Sequence, residues 1–228
     1  ADEFVAAGAW VLDHHKGAED VVAKFGDRGV FADEVRDPGV SGATLAYRHV
    51  WAPRWTGIVT DAVEHFARLT GVRDTWQTSD PDWELAQHQH AALTFWPRDY
   101  WLDRGLPWLD PEHFEVGRVA HEKALSRARR AADESYRVEL PGGVRAAILA
   151  DPGHVTSNAA ELLRSEGVQL VAGFFYVGRK LVVSLRSDGS VNVAELAKRH
   201  GGGGHTKAAG FRVDRPSRDP FEEVVGRL

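Results

Sequence analysis

The sequence contains neither cysteine nor methionine among its 228 residues. Without cysteine, the chain has no disulfide bond, no thiolate metal ligand and no cysteine nucleophile. Basic residues are also in slight deficit, with 28 Lys and Arg against 33 Asp and Glu. The resulting net charge of −5 argues against a broad basic face for general polyanion binding, but it is compatible with a local site for one or two phosphates.

Long apolar runs are also lacking. No segment approaches the roughly 20 apolar residues that a membrane span requires. The first residues show no basic segment followed by an apolar stretch, which is the pattern of a signal peptide. We therefore expect a cytoplasmic protein that does not bind membranes. Its 43% hydrophobic and 27% charged residues are typical of a globular chain, long enough for one large domain or two small ones.

The first motif that can carry chemistry is Asp13-His14-His15. It follows a continuous apolar run, residues 5–12, which predicts a buried and parallel strand. Ligands of open α/β sheets gather at the carboxyl ends of such strands. Carboxylate and imidazole groups suit Mn, Zn or Fe, so the motif indicates a metal site, with a solvated strand end as the alternative.

The second motif is the run of four glycines, Gly201 to Gly204, followed by His205. Each glycine costs on the order of 1 kcal/mol in folding entropy relative to alanine. The run lies between a predicted helix, residues 193–200, and a predicted strand, residues 208–213. That setting favours a loop whose N–H groups bind an anion over a flexible linker.

The remaining pattern predicts a helix from an N-cap at Ser41, a helix from Asp61 to Leu69 that ends at Gly71, and a charged helix over 112–136. In the second half, the pattern predicts a strand at 144–150, a helix at 157–165, a hairpin of strands 168–177 and 180–185, and a final helix at 221–228.

Taken together, these motifs resemble those of a known family. Asp-His-His after a hydrophobic strand, followed far downstream by Ala-Glu-Leu-Ala-Lys, four glycines, His and Ala-Ala-Gly-Phe, resembles the DHH phosphoesterase superfamily with its DHH-associated carboxy-terminal domain. The resemblance runs from about Ala9 to Phe211. The Arg-Asp-x-Trp segment Arg73–Trp76 is similar to that of the branch containing nanoRNases and phosphoadenosine-phosphate phosphatases.

The resemblance implies an α/β protein with two domains. Residues 1–125 would be the remainder of a DHH domain with a mainly parallel sheet, and residues 126–137 a linker helix. Residues 138–228 would form a smaller α/β substrate-binding domain, with the substrate between the two. Trp76 is a candidate for one wall of that cleft.

The resemblance also implies metal roles. It makes His14 a ligand and Asp13 a ligand or the group that holds an imidazole. His15 would bind the scissile phosphate or protonate the leaving oxygen. A further ligand is expected at Asp74, which we favour over its rival Asp61. An intact enzyme of this kind would hold two Mn²⁺ ions, with Mg²⁺ as an alternative.

Phosphate binding is implied for the second domain. Arg186 matches a strand arginine that grips the substrate phosphate, and a guanidinium can do so with two parallel hydrogen bonds. His205 matches the histidine after the glycine run, and Gly202, Gly203 and Gly204 would offer their amides.

One departure from the family pattern is that its earlier metal-binding motifs are missing before Asp13, where Asp2 and Glu3 are the only acids. We therefore expect either a fragment of a longer enzyme, with residue 1 not its natural start, or a degenerate member. The predicted function is metal-dependent hydrolysis of phosphate esters of nucleotides or short single-stranded oligonucleotides, similar to a nanoRNase. The alternatives are a cyclic-dinucleotide phosphodiesterase and an inactive nucleotide-binding remnant. An oligomer is compatible with the sequence.

Other conspicuous residues have ordinary explanations. The scattered histidines are expected at the surface: His88, His90, His113 and His121. The tryptophans are expected to pack in the core or between domains, among them Trp96, Trp101 and Trp108. The charged helix is expected to expose Arg127, Arg129 and Arg130 to solvent.

Overall fold

The computed structural model describes the chain apart from Lys16, residues 34–35, 56–57, 105–109, 152–154, Arg215, residues 217–218 and the side chains of residues 58–60. The chain forms two compact units, Ala1–His121 and Glu122–Leu228. The division falls inside one long helix, α7 (Pro111–Asp133). In the part of the chain that is described, no helix is both long and apolar enough to cross a membrane.

The first unit begins with a helix rather than a strand. Helix α1 (Asp2–Ala6) has two acidic residues in its first turn, where the helix dipole favours negative charge. Strand β1 (Val11–Asp13) follows, and helix α2 (Glu19–Ala23) leads to strand β2 (Gly29–Phe31). The two strands pair in parallel, as predicted. The prediction of a strand over the whole run 5–12 was wrong, since only residues 11 and 12 of that run belong to β1.

Two helices then bring the segment around Asp74 into place. Helix α3 (Gly42–Ala46) begins at Ser41, whose side chain caps Thr44 as predicted, and it continues into a π-helical turn over residues 47–51. Helix α4 (Ile58–Asp74) runs past Gly71, where the sequence predicted an end. A Cβ at Gly71 would overlap the carbonyl oxygen of Gly39 and lie 2.7 Å from Thr44 Oγ1. Glycine is therefore needed here for close packing, and it does not terminate the helix.

The Trp- and His-rich stretch that follows is also helical, with α5 (Trp83–Phe95) and α6 (Arg98–Arg104) before α7. Helices α4, α5 and α7 share a small core in which Leu69, Val72 and Ala86 are buried against Phe114.

The prediction for His113 was wrong. This residue is only 5% exposed, and its Nε2 lies 2.8 Å from the hydroxyl of Tyr100. The rings of Trp96 and Trp101 pack around it, as expected of packing tryptophans. Trp108 lies outside the described residues.

The second unit is built on a six-stranded sheet. Its strands are β3 (Tyr136–Leu140), β4 (Val144–Ala150), β5 (Leu170–Val177), β6 (Lys180–Ser187), β7 (Gly203–His205) and β8 (Ala208–Val213). They lie in the order β3-β4-β5-β6-β8-β7. Only β4 and β5 are parallel, and they are joined through helix α8 (Thr156–Arg164). The α/β class is confirmed, although this sheet is mainly antiparallel.

Most predicted elements of this unit are confirmed to within about two residues at their ends. Helix α9 (Val193–Arg199) and the β5–β6 hairpin are among them. Strand β3 was not predicted: its first two residues were assigned to the charged helix or the linker, and no element was predicted for residues 138–140. Gly203 and Gly204 form part of β7, so the glycine run is only half a loop. The final helix, α10 (Pro220–Val225), is shorter than expected.

The alternation of side chains along the strands gives the sheet two different faces. Leu181, Val183 and Leu185 of β6 point to one face, where they are buried with residues of α9 and α10. On the other face, Ala147 and Val171 pack against α8 and the last turns of α7. The even-numbered residues of β6 are on this second face and are half-exposed.

Replacing Gly71 by alanine tests the packing that carries α4 to Asp74. We expect Gly71→Ala to lower the free energy of unfolding by about 1–3 kcal/mol, because Gly39 must move to admit the methyl group. The exposed position His65 on the same helix is the control, and His65→Ala should stay within about 0.5 kcal/mol of the wild type. Urea denaturation measures both, and equal stability of the two variants would contradict the packing role.

Candidate metal centre and phosphate-binding face

The Asp13-His14-His15 motif lies where β1 ends. Asp13 is the last residue of the strand, His14 is buried at 4% exposure, and His15 is exposed. Each of the three offers a ligand atom, and these atoms lie within 4.8 Å of one another. Their mixture of one carboxylate and two imidazoles suits a borderline divalent cation such as Mn²⁺ or Zn²⁺.

Asp13 holds its two neighbours in place. Its Oδ1 accepts hydrogen bonds from the backbone N–H groups of His14, at 2.7 Å, and His15, at 2.9 Å, and it lies 2.7 Å from His15 Nδ1. Burial would raise the pKa of Asp13, but the hydrogen bonds and charge of His15 outweigh it and leave this pKa below its ordinary value. The ionised carboxylate favours the proton of His15 on Nδ1, so the imidazole presents Nε2 as its basic nitrogen.

His14 lies close to Asp74, the last residue of α4. Its Nε2 lies 3.6 Å from Asp74 Oδ2, which is too long for a hydrogen bond. Two ligand atoms about 2.1 Å from one ion lie roughly 3–3.5 Å apart, so the pair has nearly the spacing of two ligands of one metal. The spacing of His14 Nε2 and Asp74 Oδ2, with the carboxylate of Asp13 nearby, fits a divalent cation, which these three residues would hold. His14 Nδ1, the other ring nitrogen, is buried without a hydrogen-bond partner among the described residues.

The helix separates the two candidate aspartates. Asp61 lies in the first turn of α4 and Asp74 is its last residue. Thirteen residues of helix span about 20 Å, so Asp61 cannot share an ion with His14 if Asp74 does. The geometry supports the choice of Asp74, whose metal role stays a prediction.

Trp76 follows Asp74 in an unusual backbone conformation. Its φ is +56°, a left-handed value that non-glycine residues rarely adopt. The guanidinium of Arg73 lies over its ring at 4.3 Å, and Trp83 contacts the ring edge-on. The Arg-Asp-x-Trp segment is thus a local unit in which Arg73 and Trp76 stack beside the carboxylate of Asp74.

Asp74 also lines a small pocket between α4 and α5. The pocket has a volume of about 180 Å³, and its walls come from Thr70, Arg73, Asp74, Ala86, Gln89, His90 and Leu93. His90 is exposed, as the sequence predicted, yet partial desolvation of its ring and the charge of Arg73 lower the pKa of His90 to about 4, against an opposing effect of Asp74. The sequence treated His90 as one of several surface histidines, and no pattern in it indicated this setting.

The second unit has its own cluster of predicted residues. Strand pairing aligns Arg186 of β6 with Ala208 of β8, and Ala208 with His205 of β7. Directly paired residues point to the same face of a sheet, so Arg186 and His205 share a face two strands apart, about 10 Å between backbones. The floor between and beside them consists of small residues, namely Ser184, Gly203, Ala208 and Gly210.

The side chain of Arg186 is fixed by hydrogen bonds within the protein. Its Nε donates to Ser157 Oγ at 3.0 Å, and Nη1 donates to the carbonyl of Leu185 at 2.8 Å. Burial lowers the pKa of Arg186, partly offset by Asp151, with Arg164 adding to the decrease. A partly desolvated guanidinium gains more from an anion than one in bulk water. Ser157, at the start of α8, is a positioning residue that the sequence did not reveal.

Of the three glycines predicted to bind phosphate, Gly202 and Gly204 are needed for close packing, whereas Gly203 is not. A Cβ at Gly202 would overlap the Gly210 carbonyl, and one at Gly204 would lie 2.5 Å from the Ala208 carbonyl. At Gly203, by contrast, a Cβ would meet nothing within 4 Å. Gly202 donates its N–H to Ala197 at the end of α9, in the hydrogen-bond pattern of a helix cap, so that amide is already used.

Comparison with protein families gives a match within the second unit. The DHHA1 domain family matches residues 144–225, which span β4 to α10. No curated protein sequence is significantly similar to this chain.

Solved structures match most of the chain at low sequence identity. A DHH domain described as a member of a family of ribosomal proteins has a TM-score of 0.52 at 13% identity, and the match covers 89% of this chain and 56% of that one. A pGpG-specific phosphodiesterase from Vibrio cholerae has a TM-score of 0.48 at 13% identity, covering 90% and 73%. An exopolyphosphatase-related protein from Bacteroides fragilis has 0.49 at 14%, covering 87% and 57%. The chain thus spans little more than half of the first of these structures.

Manganese binding distinguishes the two aspartates. We expect Asp74→Asn to weaken Mn²⁺ binding by roughly 10-fold or more, because the amide loses the charge that attracts the ion next to His14. Asp61→Asn removes the same charge from the other end of α4 and should leave the affinity unchanged. Electron paramagnetic resonance of free Mn²⁺ measures both. A loss confined to Asp61→Asn would reverse the assignment.

Proposed function

Because residues 144–225 form a DHHA1 domain and the chain has a DHH-type fold, we propose that it belongs to a metal-dependent phosphoesterase that hydrolyses phosphate esters of nucleotides or short single-stranded oligonucleotides. The observation that carries the proposal is the approach of buried His14 to Asp74, next to Asp13 and His15. A metal site alone would suit many hydrolases. The face of the second unit that carries Arg186 favours a phosphate compound as the substrate.

The proposed cofactor is Mn²⁺, in a pair of ions in the whole enzyme, with Mg²⁺ as an alternative. Asp13, His14 and Asp74 would hold one side of this pair, and the remaining ligands would come from elsewhere in the whole protein. Bound ions of this type lower the pKa of water and neutralise charge on the phosphoryl oxygens. His15, fixed by Asp13 through Nδ1, would bind the phosphate or give a proton to the leaving oxygen when its Nε2 is protonated.

The phosphate would be held by the second unit. Arg186 is already oriented by Ser157, so little side-chain entropy is lost when it binds an anion. His205 lies on the same face two strands away, and the small side chains between them let a phosphate approach the sheet. We expect short substrates, because a terminal phosphate bound on the face of the sheet would prevent a long nucleic-acid chain from passing through the site.

Hydrolysis of a short linear dinucleotide in Mn²⁺ tests the proposal. The assay uses this chain and, in parallel, the chain extended by whatever coding sequence precedes it in its gene. We expect His14→Ala to reduce the rate by about 100-fold or more with the fold intact, because the buried ligand is lost. His49→Ala, outside the motif, is the control. Unchanged Mn²⁺-dependent hydrolysis in His14→Ala would falsify the metal role.

The same assay separates the alternatives. Faster turnover of a cyclic than of a linear dinucleotide would make the protein a cyclic-dinucleotide phosphodiesterase. Nucleotide binding without hydrolysis, in both the chain and its extended form, would make it a non-enzymatic binder.

The glycine series tests the phosphate-binding face. We expect Gly203→Ala to weaken AMP binding by about 5-fold or more without loss of stability, because its methyl group would project into the open face. Gly202→Ala should instead lower the melting temperature, since its methyl group overlaps the Gly210 carbonyl. Calorimetric titration and thermal unfolding measure the two effects. Wild-type affinity in Gly203→Ala would remove the glycine run from the site.

A further inference from the structure

We propose that the pocket between α4 and α5 binds the nucleobase of the substrate, beside the ester that the metal centre cleaves. This inference rests on the proposed function, since it assigns a base-binding pocket next to the proposed metal centre. The pocket and the candidate metal centre share Asp74, which lines the pocket and lies 3.6 Å from His14. A group bound in the pocket therefore lies one side chain away from the cleaved bond.

The size of the pocket selects a single ring system. Its volume of about 180 Å³ is below the roughly 300–1,000 Å³ that holds a drug-sized ligand. A whole nucleotide does not fit into it, whereas a base can enter while its sugar and phosphate stay outside.

The lining suits a flat ring with polar edges. Ala86 and Leu93 offer apolar contact, while Gln89 and His90 offer hydrogen-bonding groups. Base recognition commonly combines apolar contact with side-chain amides that hydrogen-bond to the base edge. Gln89 is 1% exposed and its Nε2 donates to Phe66 and Thr70, but its Oε1 is buried without a partner in the described structure. An amino or ring N–H group of a base supplies the donor that this buried oxygen lacks.

The charges in the pocket disfavour a second phosphate as the occupant. Arg73 is the only cation among the lining residues, and the carboxylate of Asp74 lies among the same walls. The two charges offset each other, whereas a phosphate site requires excess positive charge. Arg73 also stacks on Trp76, which leaves its flat face engaged. A neutral heterocycle fits this balance better than an anion.

Ligands with and without a base test the inference. The chain is titrated in the presence of EDTA with AMP, GMP and ribose 5-phosphate, and binding is followed by nuclear magnetic resonance. We expect His90→Ala to weaken AMP and GMP binding by about 5- to 10-fold, with ribose 5-phosphate unaffected. His88→Ala is the matched control, because His88 lies on the same helix outside the pocket, and it should bind all three as the wild type does. His90→Gln, which keeps a hydrogen-bonding group, should recover part of the loss.

Two results would overturn the inference. One is ribose 5-phosphate binding as tightly as the nucleotides, and the other is an unchanged affinity of His90→Ala for AMP and GMP. Both are measured without metal, so failure of the nucleobase site leaves the hydrolysis and Mn²⁺ measurements standing. Conversely, if His90→Ala weakens nucleotide binding but the chain hydrolyses no dinucleotide, the nucleobase pocket would be supported and the proposed hydrolase activity would be rejected.

Discussion

The approach of His14 to Asp74 is the contact on which the candidate metal centre depends. His14 directly follows β1, Asp74 is the last residue of α4, and the two are 60 positions apart in the sequence. Two conditions bring them together. The strand must end at Asp13 so that His14 turns inward, and α4 must continue to its seventeenth residue. Gly71 fulfils the second condition, since it admits Gly39 and Thr44 against the helix and lets the chain remain helical beyond them.

Burial of His14 makes this arrangement chemically meaningful. A buried ring nitrogen without a partner, such as His14 Nδ1, costs about 1–3 kcal/mol, and a cation held at Nε2 would engage the other nitrogen of the same ring. His15, on the surface, is instead fixed by the carboxylate of Asp13. The three consecutive residues thus have three different environments. The motif therefore offers one inward ligand, one oriented surface imidazole and a carboxylate that links them.

In the second unit, strand register brings together the two groups that we propose to bind phosphate. Arg186 and His205 are far apart in sequence, but they occupy one row across β6, β8 and β7. The other face of these strands is filled by the core under α9 and α10, which leaves the Arg186 face half-exposed. Small residues on that face keep it shallow. The sequence identified the residues, and the register explains why they can act together.

The sequence by itself determined what depends on local pattern: the Ser41 cap, the alternation of β6, the helix before the glycine run, and the motifs that pointed to the DHHA1 family. It misassigned residues 2–10, the end of α4 and the environment of His113, and it gave no sign that His90 shares a pocket with Asp74. Apolar runs and glycines have the same appearance in strands, helices and turns, so contacts distant in sequence decide between them. Only the tertiary structure decided which histidines are buried and which aspartate reaches His14, because burial and distance depend on how separate elements pack.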